Sequence, residues 1–329
     1  MKLQKLIDTA ASDCMHGSIM ERKDIIRLLD LDPLSDDAAY ARLKADEAAR
    51  KITDNKAYLW GAMGIDFTTC AMDCDFCSFG KSWGIIKEDT IYDDAEIAAQ
   101  MKSFVNSGVH YIVMRTTEFY SVEDLCAKVK KIRASIPGNY ELILNIGEFD
   151  YQTACMIHDA GTSGVYHALR LREGIDTRFD PEVRRATMMA ASRSPLKLIS
   201  LIEPVGPEHT SEEIADNFLN IAACQASITG TMARVPVPGT PLGDKYNDMI
   251  SNERIAQLIA VIRLAAGSSI PDICVHPASD IALKSGANVT VVETGAIPRD
   301  DVLIKDDWKK FTADKARTML ENAGYEVRE

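Results

Sequence analysis

Residues 57–80 read AYLWGAMGIDFTTCAMDCDFCSFG, and this stretch decides how the rest of the chain is interpreted. Its first part, LWGAMGIDF (59–67), is a short apolar and aromatic run typical of a buried strand. Its second part spaces Cys70, Cys74 and Cys77 as C-x₃-C-x₂-C. The stretch therefore predicts a strand that leads directly into a cysteine-bearing loop.

Beyond this strand, short β-branched or aromatic runs alternate with amphipathic stretches, a pattern typical of βα units in a parallel sheet. The predicted strands are 59–67, 109–115, 140–147, 164–171, 197–203, 228–236, 271–276 and 289–293. The predicted helices are 91–107, 121–135, 150–160, 180–193, 211–226, 252–267, 278–286 and 308–323. This count predicts an α/β fold of the (β/α)₈ TIM-barrel type, with a doubly wound open sheet as the alternative.

Residues 1–56 differ from the rest because charged and apolar residues interleave there as in helices. We expect an N-terminal helical extension over 1–56 and a single barrel domain over 57–329 that ends in a C-terminal helix. Local signals support individual helix ends. For example, Ser211 with Glu213 predicts the start of one helix.

The composition narrows the functional classes. The chain has 329 residues and a formal net charge of -12, which argues against a nucleic-acid-binding surface of clustered Lys and Arg. We therefore expect a small-molecule substrate. No stretch approaches the roughly 18 consecutive apolar residues of a membrane helix, and the N-terminus lacks an apolar signal region. The sequence predicts a soluble, cytoplasmic protein that binds neither nucleic acid nor membrane, and it leaves the oligomeric state open.

The eight cysteines, without a secretion signal, are expected to be reduced thiols. Cys70, Cys74 and Cys77 follow a predicted strand, where barrel enzymes place their chemistry. Three thiolates are one ligand short of a zinc site or an ordinary [4Fe–4S] centre, so one position is open. Zinc held by three cysteines and a histidine is the alternative, although the next histidine, His110, lies beyond a predicted helix.

C-x₃-C-x₂-C with an aromatic residue, here Phe76, before the last cysteine resembles the motif of the radical S-adenosylmethionine (SAM) superfamily. The resemblance implies a [4Fe–4S] cluster on Cys70, Cys74 and Cys77, with SAM bound to the open iron through its amino and carboxylate groups. It implies an enzyme in which reductive cleavage of SAM yields a 5′-deoxyadenosyl radical that abstracts hydrogen from a substrate. It also implies an electron donor such as flavodoxin or ferredoxin.

From about residue 24 to about residue 300 the chain resembles the biotin synthase-like branch of that superfamily. Besides the helical prelude, the resembling stretches are EPVGPEHT (203–210), RVPVPGTPLGD (234–244) and SGANVTVVETG (285–295). The family carries a GTPL run at the end of its sixth strand, which implies that Val237 and Pro238 contact the cofactor. A Pro-rich turn after a strand explains the same run without a function.

Further cofactor-binding residues follow from this resemblance. Thr116-Thr117-Glu118 stands where the family has GGE, so Glu118 is the expected acceptor for the SAM ammonium group although the glycines are absent. HALRLREG (167–174) resembles a strand end near SAM in hydrogenase maturase E and methylornithine synthase, with an exposed salt-bridging loop as the alternative. The candidates that follow the second to fifth strands are Glu118, Asn145, Glu148, Arg170, Arg172, Glu173, Gly206 and Glu208.

Biotin synthase also carries a sulfur-donating [2Fe–2S] cluster on three cysteines and an arginine. Aligning the family pattern places Val113, Ile143 and Ile199 at those cysteine positions and Cys274 at the arginine. Aliphatic side chains cannot bind iron, so no such cluster is expected. His276 shares a strand face with Cys274, and we expect Cys274 to fill the barrel interior or contact substrate rather than bind metal.

The predicted function is SAM cleavage followed by hydrogen abstraction from a small metabolite in cofactor or amino-acid biosynthesis. This function is implied by the resemblance to hydrogenase maturase E, methylornithine synthase and the biotin synthase-like protein of iron-guanylylpyridinol cofactor assembly. The last of these has a longer first cysteine spacing, which this chain lacks. The alternatives are a sulfur-inserting biotin or lipoyl synthase-like enzyme and a non-catalytic iron–sulfur redox protein. The sequence does not determine the substrate or product, or whether SAM is regenerated.

Overall fold

Eight parallel strands form the centre of the computed structural model, which describes residues 3–300, 303–304 and 311–329. The strands in these ranges are β1 Lys56–Gly64, β2 Asp66–Phe67, β3 Thr90–Ile91, β4 Tyr111–Arg115, β5 Glu141–Asn145, β6 Gly164–Tyr166, β7 Lys197–Ile199, β8 Ile202–Val205, β9 Ile228–Ala233, β10 Asp272–His276, β11 Val289–Gly295 and β12 Glu326–Arg328. The order β1-β4-β5-β6-β7-β9-β10-β11 returns to β1. The ring is closed, so the predicted (β/α)₈ barrel is confirmed and the open sheet is wrong.

Helices surround this barrel, as the crossover connections of parallel strands require. In the described ranges they are α1 Leu3–Asp13, α2 Arg22–Leu29, α3 Asp36–Ile52, α4 Asp94–Asn106, α5 Val122–Ser135, α6 Tyr151–Asp159, α7 Pro181–Arg193, α8 Ser211–Ala223, α9 Pro241–Lys245, α10 Asn252–Ala266, α11 Asp280–Leu283 and α12 Ala313–Asn322. Every predicted helix has a counterpart. The predicted start of the last one, at residue 308, lies outside the described residues.

Three helices, α1 to α3, occupy the predicted N-terminal extension. α3 packs against α10, and α2 packs against α8. Ile7 and Leu28 of these helices join the same apolar core as the outer faces of the barrel strands. A division into an extension and a barrel domain between residues 56 and 57 stays a prediction.

Two predicted strands are shorter than expected. The strand predicted at 164–171 ends at Tyr166, and Arg172 takes a φ of 55°, which an extended strand cannot adopt. The strand predicted at 197–203 is divided into β7 and β8. Because β6 ends early, the chain after Ile199 keeps a ladder partner on one side only.

The start of α8 corrects a detail of the predicted helix cap. Thr210, rather than Ser211, is the capping residue, because its Oγ1 accepts a hydrogen bond from Glu213 N over 3.2 Å. In return, Thr210 N donates to Glu213 Oε2 over 2.8 Å. This reciprocal capping box fixes the chain directly after the EPVGPEHT loop.

A separate apolar cluster fills the lower part of the barrel, because alternate residues of each strand point inward. Its buried members are Trp60, Tyr111, Val113, Ile143, Tyr166, Ala168, Ile199, Leu201, Ile228, Cys274, Val289 and Val291. Gly230 makes the closest approach at the β9–β10 seam, since a Cβ atom there would lie 1.9 Å from the Cys274 carbonyl oxygen. The filled lower barrel leaves the space at the carboxyl-terminal ends of the strands for ligands.

Candidate active site

The cysteine-bearing loop after β1 is held by its own hydrogen bonds. Cys70 N donates to the Phe79 carbonyl over 2.7 Å. Asp73 takes a φ of 41° and accepts hydrogen bonds from Ser82 N (2.9 Å) and Ser82 Oγ (2.6 Å). The loop therefore presents its three thiols from a fixed backbone.

A cavity of about 1310 Å³, its open mouth included, lies at the carboxyl-terminal ends of the barrel strands. Its position matches that of ligand sites in barrel enzymes, which lie at this end of the strands. The predicted site residues that line it are Cys70, Cys74, Phe76, Cys77, Glu118, Asn145 and Arg170. The structure thus brings half of the predicted site residues to one cavity.

The three thiols are not gathered around one metal position. In a tetrahedral site with Zn–S bonds of about 2.3 Å, the sulfurs lie about 3.8 Å apart. Among the described residues, the sulfurs of Cys70, Cys74 and Cys77 do not form a group whose atoms all lie within 4.8 Å of one another.

One group of described residues does place three ligand atoms within 4.8 Å of one another, namely Asp176, Glu208 and His209. Two of its members, Glu208 and His209, are already engaged. Both carboxylate oxygens of Glu208 accept hydrogen bonds from Arg234, and His209 Nδ1 accepts one from Gly206 N over 2.9 Å. Neutral His209 then carries its proton on Nε2, so neither ring nitrogen is free to bind a metal.

Burial raises the pKa of all three thiols in the cysteine loop. The guanidinium group of Arg170 opposes this effect at Cys74, and Arg115 opposes it at Cys77. A coordinated metal deprotonates a thiol outright. The loop therefore holds buried thiols beside fixed positive charge, an environment that favours thiolate ligands once iron is bound.

Glu118 lies on the wall next to the cysteine loop. Thr117 N donates to Asp66 Oδ1 over 2.9 Å, and Glu118 Oε1 accepts a hydrogen bond from Glu148 N over 3.3 Å. The Glu118 backbone is within hydrogen-bonding reach of the Cys70 sulfur. Burial raises the pKa of the Glu118 carboxyl. The carboxylate is therefore a more basic acceptor for a hydrogen bond from a ligand group that carries a proton.

Buried ion pairs connect three predicted residues with Arg184, which sequence reasoning missed. Arg184 Nη1 lies 3.0 Å from Glu148 Oε1, and Arg184 Nε lies 3.5 Å from Glu173 Oε2. Glu173 also accepts a hydrogen bond from Arg170 N over 3.0 Å. Arg170 and Arg184 line the cavity. Glu148 and Glu173 do not line it and pair with these guanidinium groups from outside the cavity.

A signal for Arg184 was present in the sequence. It shares the buried face of α7 with Thr187, Met188 and Ala191, and an arginine on an apolar helix face is costly unless it is paired. Its guanidinium group lies 3.8 Å from the centre of the Phe179 ring. A charged residue at a helical core position therefore indicated the site.

Three other predicted residues lie outside the cavity lining but support it. Arg172 Nε lies 2.8 Å from Glu213 Oε1, and Arg172 Nη2 donates to the Glu208 carbonyl over 2.9 Å. Glu208 in turn holds Arg234, which does line the cavity. Gly206 leaves space for this pair, since a Cβ atom there would lie 2.4 Å from Arg234 Nη2.

Val237 and Pro238 do not line this cavity. The Val237 carbonyl accepts a hydrogen bond from Thr240 Oγ1 over 2.8 Å in the turn that starts α9, and Pro238 is exposed. Their contact with a cofactor stays a prediction.

The opposite wall holds a second charged group that the predicted set did not contain. Arg299 donates hydrogen bonds to Glu293 and to His276 Nε2. His276 Nε2 also lies 3.4 Å from Glu293 Oε2. Burial lowers the pKa of His276, and the charge of Arg299 lowers it further. His276 is therefore neutral at pH 7, and Glu293 and Arg299 form the ion pair.

Five arginines line the cavity, and four of them pair with carboxylates. The lining arginines are Arg115, Arg170, Arg184, Arg234 and Arg299, and the lining glutamates are Glu118, Glu203 and Glu293. Burial raises the pKa of Glu203, to which Tyr166 donates a hydrogen bond. Guanidinium groups are the side chains that recognise a carboxylate best, so these arginines are candidate contacts for a ligand that carries one.

Cys274 lies below the cavity. It is fully buried in the inner apolar cluster with Val113, Ile143 and Ile199, as the alignment predicted. It does not line the cavity, whereas His276 does. Its surroundings are those of an apolar filler.

No family model matches the chain. It is 23% identical over 241 residues to biotin synthase from Sulfurihydrogenibium sp. strain YO3AOP1, a match that covers 68% of this chain and 65% of that protein. It is also 23% identical over 241 residues to biotin synthase from Francisella philomiragia, covering 68% of this chain and 74% of the relative. The chain thus spans about two thirds of the Sulfurihydrogenibium protein.

Solved structures share the fold. HydG, a maturase of the [FeFe]-hydrogenase, superposes with a TM-score of 0.81 at 12% identity, over 98% of this chain and 76% of that one. Methylornithine synthase (PylB) superposes with a TM-score of 0.78 at 15% identity, over 97% of each chain. The chain is thus similar in sequence to biotin synthases and shares its fold with HydG and methylornithine synthase, as the resemblance to the biotin synthase-like branch implied. No helix in the described ranges has the length and apolar character needed to cross a membrane.

Proposed function

We propose that this chain is a radical SAM enzyme that binds one [4Fe–4S] cluster on Cys70, Cys74 and Cys77. The observation that carries the proposal is that these three thiols line one arginine-rich cavity at the carboxyl-terminal ends of the barrel strands. A [4Fe–4S] cluster takes each thiolate on a different iron, so three ligands leave one iron open. The similarity to biotin synthases supports the same chemistry.

SAM has a place in this cavity beside the cysteine loop. The Glu118 carboxylate is the acceptor for its ammonium group, and Arg170 and Arg184 face the position of its carboxylate. Thr116 Oγ1 on this wall is buried without a hydrogen-bond partner among the described residues. Arg170 Nη1 and Arg184 Nε also lack a hydrogen bond there, and each has only an ion-pair contact of 3.5 Å to Glu173 Oε2. Buried groups whose hydrogen bonds are incomplete in this way fit a polar ligand. When bound, the cluster supplies the electron that cleaves SAM to a 5′-deoxyadenosyl radical.

The substrate is a small metabolite of cofactor or amino-acid biosynthesis that loses a hydrogen atom in the lower part of the cavity. Sulfur insertion of the biotin synthase kind is disfavoured, because Val113, Ile143 and Ile199 offer no ligands and Cys274 is alone among them. The three cysteines open onto a cavity lined by buried arginines. This cavity supports an enzyme over a non-catalytic redox protein, because a redox protein needs no such cavity. The proposal also includes a cytoplasmic location and reduction of the cluster by flavodoxin or ferredoxin.

Anaerobic reconstitution with iron and sulfide tests this function. We expect about four irons per chain, as one [4Fe–4S] cluster requires, and 5′-deoxyadenosine after addition of SAM and dithionite. A content of about six irons or more, as a second cluster would add, would favour a sulfur-inserting synthase. A loaded cluster without 5′-deoxyadenosine would favour the redox protein and contradict the proposal.

A further inference from the structure

Two hydrogen-bond donors at the bottom of the cavity lack acceptors. Trp60 Nε1 and His276 Nδ1 are buried and have no hydrogen-bond partner among the described residues. Trp60 is 4% exposed and His276 is 5% exposed, and both line the cavity. Neither belongs to the wall assigned above to SAM. Buried polar groups in native proteins are nearly always paired, so these two nitrogens point to a ligand.

The contacts of His276 indicate which of its ring nitrogens is a donor. Its Nε2 atom is hydrogen-bonded to Arg299 Nη2, and a guanidinium group can only donate. Glu293 Oε2 lies farther from Nε2, at 3.4 Å, and already accepts a hydrogen bond from Arg299. Nε2 of the neutral ring therefore accepts, and Nδ1 carries the proton. The Arg299–Glu293 pair thus holds His276 with Nδ1–H as a donor, and the indole of Trp60 can only donate as well.

The two donors lie at one level of the barrel. Trp60 of β1 is paired with Val291 of β11. Cys274 of β10 is paired with Val289, so His276 stands beside Val291 on its other side. Neighbouring strands lie about 4.8 Å apart, which places the two backbones about 10 Å apart with both side chains directed inward. One small polar group between them can meet both donors.

We propose that this position binds an acceptor oxygen of the substrate, either a carbonyl or a carboxylate oxygen. Such an oxygen has two lone pairs and can accept from both nitrogens, whereas an ammonium group has none. The wall at this level includes the apolar residues Leu201, Met232 and Val291, and the ring of Tyr166, whose hydroxyl donates to Glu203, lies edge-on to Trp60. The substrate class is therefore a molecule with an apolar body whose oxygen-bearing end points away from the cysteines. This inference rests on the proposed function and names its substrate class.

Calorimetric titration of the reconstituted full chain with benzoate, benzamide and benzylamine tests the proposal. We expect an acceptor-bearing probe to bind at least about tenfold more tightly than benzylamine. Trp60→Phe and His276→Phe each remove one donor and keep a ring, and each should weaken that binding about fivefold, the effect of one hydrogen bond. Tighter binding of benzoate assigns a carboxylate, and tighter binding of benzamide assigns a neutral carbonyl.

His110→Phe is the matched control, because His110 is a half-buried histidine outside the cavity lining, and it should leave binding unchanged. Benzylamine binding as tightly as both acceptors, no binding by either acceptor, or unchanged affinity in both variants overturns the proposal. If a variant does not fold, the ranking of the three probes on the unaltered chain decides. Probe binding does not require SAM cleavage, so failure here is distinguishable from failure of the 5′-deoxyadenosine assay.

Discussion

Arg184 Nη1 of α7 lies 3.0 Å from Glu148 Oε1 in the loop after β5. The arginine side chain is 3% exposed and the glutamate side chain is 22% exposed, so the arginine end of the pair is shielded from water and salt. Glu148 was predicted from the sequence as a site residue, and Arg184 was not. Their contact positions the Arg184 guanidinium group in the cavity wall.

Arg184→Met should lower the free energy of unfolding by about 3 kcal/mol, because removing one partner leaves buried carboxylates without their counter-charge. Arg185→Met is the matched control, since Arg185 is exposed and pairs with exposed Glu182, and it should change stability by less than about 0.5 kcal/mol. Urea unfolding measures both. Equal stability of the two variants would contradict a structural role for the Arg184 pair.

Cys74→Ala should abolish cluster binding and SAM cleavage, because two thiolates do not hold a [4Fe–4S] cluster with an open iron. Cys126→Ala, a buried cysteine on α5, is the control and should keep about four irons with a modest loss of stability. Iron content and the absorbance of the reconstituted proteins report the result. Retained SAM cleavage in Cys74→Ala would sink the proposed function.

Cys274→Ala should keep about four irons per chain, as one [4Fe–4S] cluster requires. Its sulfur fills an aliphatic layer, so the expected cost is only the small cavity, about 1 kcal/mol. Iron analysis and urea unfolding check both statements. A drop in iron content would show that Cys274 binds a second metal centre.

Stability should fall as the pH is lowered from 7 to 5. Burial lowers the pKa of His167 to about 4, whereas the unfolded chain titrates near 6.5. The unfolded state therefore binds a proton that the folded state excludes, which costs about 2 kcal/mol over this range. His167→Gln should flatten the pH dependence, while His158→Gln at an exposed position should not. Parallel pH profiles for the two variants would refute this explanation.

Gly230→Ala should prevent closure of the barrel or destabilise it by more than about 3 kcal/mol. Gly230 has a φ of 144°, and a Cβ atom there meets the Cys274 carbonyl. Gly84→Ala is the control, because Gly84 also has a positive φ but nothing lies within 4 Å of its Cβ position; about 1 kcal/mol is expected there. Thermal unfolding compares them, and similar losses would mean that the close approach has no energetic consequence.

The fold could be predicted largely because its signals are local. Eight strands and the helices between them follow from apolar periodicity within short windows. The predicted ends failed where tertiary contacts override that periodicity. The strand predicted to reach residue 171 stops at Tyr166, and the chain turns at Arg172, whose φ is 55°.

The site residues likewise divide into those that the sequence indicated and those that only the tertiary structure revealed. The sequence by itself determined the cysteine loop, because C-x₃-C-x₂-C after a strand is a local pattern, and it identified Glu118 and Arg170. Only the tertiary structure selected Arg184, Glu293 and Arg299. These side chains come from a helix, a strand and a loop far from the cysteines in the chain, and barrel closure brings them to one cavity. Burial then makes their charges effective, because ion pairs shielded from water interact more strongly than exposed ones.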